Sequence, residues 1–201
     1  IDNVLVLRGD PAKPFNTFKA KENGFAYASD LVEQVADMNR GVYLHEEDTA
    51  LAPSNFCIGV AAYPEKHFEA EDHDIDFEYL KQKVDKGADY IVTQMFFDNQ
   101  KYFDFVHRCH QHGITIPIVP GLKPLSTRKQ LQILPKLFHL EMPDDLVKAA
   151  EACENDQQVR QVGIDWCIQQ CRELTAHGAP VLHFYTMGKA DNIMKVAREV
   201  F

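Results

Sequence analysis

The chain has 201 residues, of which 45% are hydrophobic and 25% charged, so it is long enough for one domain with a sizeable core. Its formal net charge of -9 argues against nucleic acid as a partner, and no apolar run approaches the ~18 residues of a membrane span. Five cysteines, an odd number without a CxxC spacing, favour reduced thiols in a cytoplasmic protein.

Five mostly apolar segments predict β-strands in chain order, at 4–7, 57–62, 90–97, 116–119 and 181–185. Continuous apolar runs of this kind are typical of strands that are covered on both faces. Helical patterns lie between and after them, at 28–39, 76–86, 99–112, 126–139, 144–152, 155–176 and 188–199, with Ser126 as the expected N-cap of the fourth helix. The alternation of strand and helix predicts an α/β fold with a parallel sheet.

Two architectures fit this alternation, a doubly wound sheet and a (β/α)8 barrel. The sequence contains neither GxGxxG nor GxxxxGK[ST], the phosphate-binding loops of many doubly wound sheets. Several strands end in polar or turn residues, as the mouth of a barrel requires, yet a complete barrel takes about 250 residues. The pattern therefore leaves open either an open sheet or a barrel whose first part is absent from this chain.

Polar residues at the predicted strand ends are the candidate site. Asp10 follows the first strand and could hold a cation, orient a substrate, lie beside a cofactor ring, or merely cap its own turn. Tyr63 and His67 follow the second strand and could contact a planar cofactor, although a histidine in a loop can also be simply solvated. Gln94 lies in an apolar strand and must find hydrogen-bond partners, either on a ligand or on the backbone.

Histidines in the segment 107–112 raise the possibility of a metal site. His107 and His110 share a helix face, but no carboxylate lies at helical spacing with them on that face. We expect no metal.

The chain resembles the methylenetetrahydrofolate reductase family over essentially its whole length. Six motifs carry the resemblance and occur in the family's order: LRGD, YASDL, AAYPEKHFEA, YLKQKVDKGADYIVTQMFFD, IPIVPGLKP and LHFYTM. The resemblance, to the bacterial type with a catalytic barrel only, implies a (β/α)8 TIM barrel that carries FAD. It implies hydride transfer from NADH or NADPH to the flavin and then to 5,10-methylenetetrahydrofolate, giving 5-methyltetrahydrofolate with ping-pong kinetics. A homo-oligomer is expected.

The LRGD strand is the fourth of eight in that family. The resemblance therefore implies that residues 1–201 form a single catalytic, flavin-binding barrel domain with five strands present and the first three absent, and with no regulatory domain. The family's general-acid glutamate would lie on the absent part.

The resemblance also assigns residue roles. The cofactor-binding positions are Leu7, Arg8, Gly9, Asp10, Tyr27, Ala28, Tyr63, His67, Ala70, Asp76 and Lys83. The substrate-binding positions are Gln94, Gln130, Tyr185 and Lys189, and the residues expected to act in catalysis are Asp10 and Gln94. The charge of Asp10 near the flavin would disfavour the anionic reduced form.

The sequence departs from the family pattern at a few of these positions. The pair Gly188-Lys189 stands where Asn-Arg is usual, so Lys189 keeps a positive charge but loses the bidentate fork. Leu134 replaces an aromatic residue that stacks on folate in some members, and Tyr79 and Gln82 replace Asn and Arg.

Two other functions remain open at this stage. Without the general acid, the chain could be a non-catalytic partial barrel that binds a nucleotide or flavin. It could also be another (β/α) enzyme acting on a phosphorylated substrate, although no glycine loop for phosphate follows the last strand.

Overall fold

The structure is a computed structural model that describes residues 1–9, 11, 18–44 and 52–201. Its sheet has five strands: β1 (Asn3–Val6), β2 (Cys57–Ala62), β3 (Tyr90–Met95), β4 (Ile118–Leu122) and β5 (His183–Phe184). They lie side by side in chain order, and every neighbouring pair is parallel. Each crossover therefore moves one strand along the sheet in the same direction, as in a barrel, whereas a doubly wound sheet reverses its order. The predicted parallel α/β sheet is confirmed, as a five-stranded half-barrel.

Seven helices are described: α1 (Ala28–Asn39), α2 (His73–Asp85), α3 (Asn99–Gln111), α4 (Gln130–Phe138), α5 (Asp144–Glu151), α6 (Asp156–Ala176) and α7 (Asp191–Val200). Helix α2 begins three residues before its predicted start, because the side chain of Asp72 accepts a hydrogen bond from Ile75 N at 2.8 Å and caps the helix there. None of the helices in the described part of the chain is both long and apolar enough to cross a membrane.

The prediction that Ser126 caps the fourth helix is wrong. Helix α4 begins only at Gln130. The side-chain Oε1 of Gln130 accepts a hydrogen bond from the backbone N–H of Ser126 at 2.7 Å. The hydroxyl of Ser126 accepts a hydrogen bond from Asn192 on α7 at 2.9 Å. Residue 126 is thus used to fasten the loop after β4, and the helix starts one turn later.

One face of the sheet packs against the helices. Val6, Val60, Ile91 and Leu122 are buried in this helix-side core, together with residues of α1, α2, α3, α6 and α7. The opposite, inner face is open at β1, where Leu5 is 41% exposed, so the expectation that all strands are covered on both faces fails there. In a closed barrel this inner face is filled by side chains from the other strands.

A second apolar cluster lies beyond the carboxyl ends of β3 and β4. It contains Met95, Phe97 and Leu125 with residues of α4, α5 and α6. Helix α6 approaches closely, because a Cβ on Gly163 would lie 2.0 Å from the carbonyl oxygen of Leu125. This packing holds the segments after β3 and β4 in place at the carboxyl edge of the sheet.

Candidate functional site

The carboxyl ends of the five strands meet at one edge of the half-barrel, which we call the mouth. Residues 7–9 follow β1, residues 63–70 follow β2, Gln94 lies near the end of β3, Lys123 follows β4 and Tyr185 follows β5. Parallel (β/α) sheets carry their binding sites at this edge. The sequence-predicted positions on these five segments are therefore brought together, except that Asp10 lies outside the described residues.

An ion pair joins the loops after β1 and β2. Arg8 Nη2 lies 2.5 Å from Glu69 Oε2, and the guanidinium also lies over the ring of Phe18, 5.0 Å from its centroid. The backbone N–H of Glu69 in turn donates to His67 Nδ1 at 3.1 Å. The positive charge of Arg8 is thus compensated within the mouth.

His67 is held from three sides. Its backbone N–H donates to Asp76 Oδ2 at 3.0 Å, and its ring lies edge-on to Tyr63 and stacked on Phe68, with centroids 4.5 and 4.9 Å apart. Burial lowers the pKa of His67 below its usual value, although the carboxylates of Glu69 and Asp76 act in the opposite sense. The imidazole is therefore neutral at pH 7, and because Nδ1 accepts from Glu69, its proton is on Nε2.

Two lysines after β2 donate to backbone carbonyls. Lys83 Nζ donates to Ala61 O at 2.6 Å, and burial lowers the pKa of Lys83 to about 8, partly offset by Asp76. Lys66 Nζ donates to His67 O at 3.2 Å and also to Ala70 O. Among the described residues, neither lysine forms an ion pair with a carboxylate.

These two ammonium groups bear on the expected cofactor. They leave positive charge beside the Tyr63–His67 aromatic pair, and this donor set fits a diphosphate attached to a planar ring. Lys66 was missed from the sequence, where it is only one charged residue within a longer motif.

Tyr185 crosses the inner face of the sheet. Its hydroxyl donates to the carbonyl oxygen of Thr93 on β3 at 2.8 Å, and its ring lies over Gly121 on β4, where a Cβ would be 2.7 Å from the ring. Burial, with a smaller contribution from Tyr63, raises the pKa of Tyr185 to about 12. The hydroxyl therefore stays protonated and ties β5 to β3, which makes it a structural donor at the mouth.

Gln94 and Lys123 present hydrogen-bond donors at the mouth. The side-chain oxygen of Gln94 accepts from the backbone N–H of Met95 at 2.9 Å, while its amide NH2 has no acceptor within the described ranges. Lys123 is only 8% exposed and makes no hydrogen bond or ion pair with any described residue, and burial lowers its pKa. Sequence reasoning missed Lys123; a lysine directly after an apolar strand was the available signal.

Glu65 was also missed. It lines a small pocket at the mouth with Tyr63, Gln94 and His139. Its Oε2 accepts from the backbone N–H of Glu141 at 2.7 Å, whereas its buried Oε1 has no partner in the part of the chain that is described. Burial raises the pKa of Glu65 to about 7, so the carboxyl is half protonated near neutral pH.

The remaining predicted positions lie around this centre. Tyr27 is 62% exposed and directly precedes Ala28, the first residue of α1. Lys189 is exposed in the turn after β5, and the side-chain oxygen of Gln130 is occupied by the loop after β4. Leu134 is 4% exposed in the second apolar cluster and offers no stacking surface at the mouth.

A cleft of about 610 Å³ lies at the opposite, amino-terminal edge of the sheet, lined among others by Asp2, Asn39 and Asp89. Two of these side chains are already bonded to backbone groups. Asn39 Nδ2 donates to Phe56 O at 2.8 Å, and Asp89 Oδ2 accepts from Ile58 N at 2.7 Å. Glu65 Oε1, a buried acceptor without a partner among the described residues, lies at the mouth together with the family-motif positions, and the mouth is therefore the candidate site.

Comparison with known proteins gives a consistent result. Residues 1–200 match the family model described as methylenetetrahydrofolate reductase. Methylenetetrahydrofolate reductase (NADH) 1 of Arabidopsis thaliana is 40% identical over 197 residues, which cover 93% of this chain and 31% of that protein. The 5,10-methylenetetrahydrofolate reductase of Pectobacterium carotovorum subsp. carotovorum is 33% identical, covering 95% of this chain and 57% of that protein. The chain thus spans only part of the relatives it matches.

A solved structure has a similar fold. It is an uncharacterized protein from Clostridium thermocellum described as binding two copies of 5-methyl-5,6,7,8-tetrahydrofolic acid. The TM-score is 0.51 at 19% sequence identity, over 72% of this chain and 52% of that one.

Proposed function

The chain belongs to the methylenetetrahydrofolate reductase family, and on that premise we propose that it forms part of a (β/α)8 catalytic barrel that reduces 5,10-methylenetetrahydrofolate to 5-methyltetrahydrofolate. The observation that carries the proposal is the shared position of Arg8, His67 and Gln94, which the family motifs single out, at one edge of a parallel sheet. The five strands of this chain would be completed by three more to close the barrel.

FAD is the proposed cofactor, and when bound it would accept a hydride from a nicotinamide donor and pass it to the folate. Lys83 and Lys66 would hold its diphosphate, because their charges are not neutralised by a contacting carboxylate. Tyr63 and His67 would contact its chain or ring. We propose that Asp10, which lies outside the described residues, places its negative charge beside the flavin.

The residues of this chain would bind and orient rather than exchange protons. The neutral His67, fixed by Glu69 through Nδ1, offers Nε2–H as a donor of constant charge at neutral pH. Gln94 offers an amide NH2, unbonded among the described residues, to an acceptor on the pterin or on the nicotinamide carboxamide. One such donor serving two substrates in turn is compatible with ping-pong kinetics.

The names of related proteins support a nicotinamide donor of either kind. The Arabidopsis relative is named for NADH, and a Caenorhabditis elegans relative, 36% identical over 72% of this chain, is named as a probable NADPH enzyme. The folate bound by the structural neighbour supports a folate ligand on this type of fold.

Turnover of the intact protein supplied with FAD tests the proposal. We expect 5-methyltetrahydrofolate to form from NADH or NADPH and methylenetetrahydrofolate, with parallel lines in double-reciprocal plots. Gln94→Ala should lower kcat/KM for the folate about tenfold or more, since a buried polar bond to substrate is lost. The matched control is Gln132→Ala, an exposed glutamine on α4. Absence of product from the FAD-loaded protein would rule the function out.

A further inference from the structure

Lys123 is a largely buried lysine whose ammonium group has no protein partner among the described residues. It is 8% exposed, and the hydrogen bonds and ion pairs of the described residues include none to its ammonium group. The ammonium nitrogen is not one of the fully buried polar atoms that lack a partner, so solvent, and equally a ligand, can reach it. Burial of the side chain lowers the pKa of Lys123, and no carboxylate of the described residues acts against this shift.

The direction of the Lys123 side chain follows from its neighbours on β4. Leu122 is fully buried in the helix-side core, whereas the position of Gly121 faces the ring of Tyr185 on the inner side. Side chains alternate along an extended chain, so Lys123, two residues after Gly121, continues on the inner side at the mouth. The backbone N–H of Tyr185 donates to Leu122 O at 2.9 Å, which puts the start of the segment after β5 directly alongside.

A second unused donor lies on the adjacent strand. Gln94 is near the end of β3, which pairs directly with β4 through Met95 and Gly121. Its side chain lines the mouth pocket together with Tyr63. Its amide NH2, like the ammonium of Lys123, has no acceptor in the described ranges. Two such donors on adjacent strands suit a ligand that carries acceptor atoms along one edge.

We propose that Lys123 is a substrate-positioning residue that donates a charged hydrogen bond to an acceptor atom of the pterin ring of the folate, beside the bond from Gln94. The inference rests on the proposed function. Ring and tail of a folate both carry acceptors, but the glutamate tail is flexible and ends in carboxylates that favour solvent. Lys123 is only 8% exposed, so a ligand must enter the mouth to reach it, and the part of a folate that enters is the ring.

Binding of tetrahydrofolate and of tetrahydropteroate, which lacks the glutamate tail, tests this inference. Both are measured by calorimetry under nitrogen on the intact, FAD-loaded protein. Lys123→Met should weaken both ligands by the same factor, about tenfold to a hundredfold, because one charge-assisted bond to the ring is lost. The control Lys195→Met removes an exposed lysine on α7 and should change neither affinity.

Several outcomes separate this inference from its premise. A wild-type protein that neither binds nor reduces folate refutes the proposed function and the inference with it. Folate turnover with unchanged affinities in Lys123→Met refutes the inference alone, and so does a loss confined to tetrahydrofolate, since that would place Lys123 at the tail. A purely structural lysine would lower the urea midpoint when replaced, whereas we expect the Lys123→Met midpoint to be unchanged or higher, because its ammonium group makes no bond to the described residues that the substitution could break.

Discussion

Replacing Glu65 by glutamine should make the protein's stability less sensitive to pH. In the folded protein, burial raises the pKa of Glu65 from 4.5 to about 7. The folded state therefore holds a proton that the unfolded chain releases above pH 4.5, and the contribution of this carboxyl to stability falls as pH rises from 4.5 to about 7. Glutamine has nearly the same shape and cannot ionise, so this loss disappears in Glu65→Gln.

The size of the effect follows from the shift. Each pKa unit corresponds to about 1.4 kcal/mol, so a shift from 4.5 to about 7 sets a ceiling of about 3 kcal/mol. Because Glu65 is only partly buried, we expect about 2 kcal/mol after allowance for solvent screening. The substitution also shifts the unfolding free energy by an amount that does not change with pH, because the amide NH2 takes the place of Oε1, which has no partner among the described residues.

Urea unfolding of the FAD-free protein at pH 5, 6, 7 and 8 provides the measurement. The difference in unfolding free energy between Glu65→Gln and wild type should rise by about 2 kcal/mol from pH 5 to pH 8 and level off above pH 7. The control Glu71→Gln alters an exposed glutamate and should give a difference that is flat with pH. A flat difference for Glu65→Gln as well would show that this carboxyl is solvated, and the account of its burial would be wrong.

Two further predictions concern the inner face of the sheet, and urea unfolding serves for both. Gly121→Ala should lower the unfolding free energy by about 2 kcal/mol or more, or prevent folding, because the new Cβ would lie 2.1 Å from Thr93 O. The control Gly9→Ala should be nearly neutral, because a Cβ there meets no described atom within 4 Å. Equal stabilities of these two variants would contradict the close approach of β3 and β4. Tyr185→Phe should lower the unfolding free energy by about 1 kcal/mol, because the hydrogen bond to Thr93 O is lost. The control Tyr79→Phe alters an exposed side chain and should have no measurable effect. A neutral Tyr185→Phe would mean that the hydrogen bond is absent in solution.

The sequence was sufficient for the parallel α/β architecture because apolar runs and helical periodicity are local properties. The strands predicted at 57–62 and 90–97 were found with their strand type and order, since both segments are long and mostly apolar, although β3 ends two residues earlier than predicted, at Met95. The last strand was overestimated: 181–185 was predicted, and only His183–Phe184 pair with β4. Its extent is set by the partner strand, which local composition does not reveal.

The site was only partly predictable for the same reason. The family motifs in the sequence identified Arg8, His67 and Gln94, because each lies at or just after a predicted strand and can be recognised from its immediate neighbours. The bond from Tyr185 to Thr93 joins residues 92 positions apart, and the 8% exposure of Lys123 is a property of the folded chain. Neither can be read from a short stretch of chain, because each depends on how distant elements pack.

Anaerobic single turnover tests the central claim most directly. The intact protein is loaded with FAD, reduced with a stoichiometric amount of NADH, and mixed with 5,10-methylenetetrahydrofolate while the flavin absorbance is followed. The account predicts that the bleached flavin spectrum returns as one equivalent of 5-methyltetrahydrofolate forms. A flavin that binds and is reduced by NADH, but is reoxidised only by menadione and never by the folate, would contradict it.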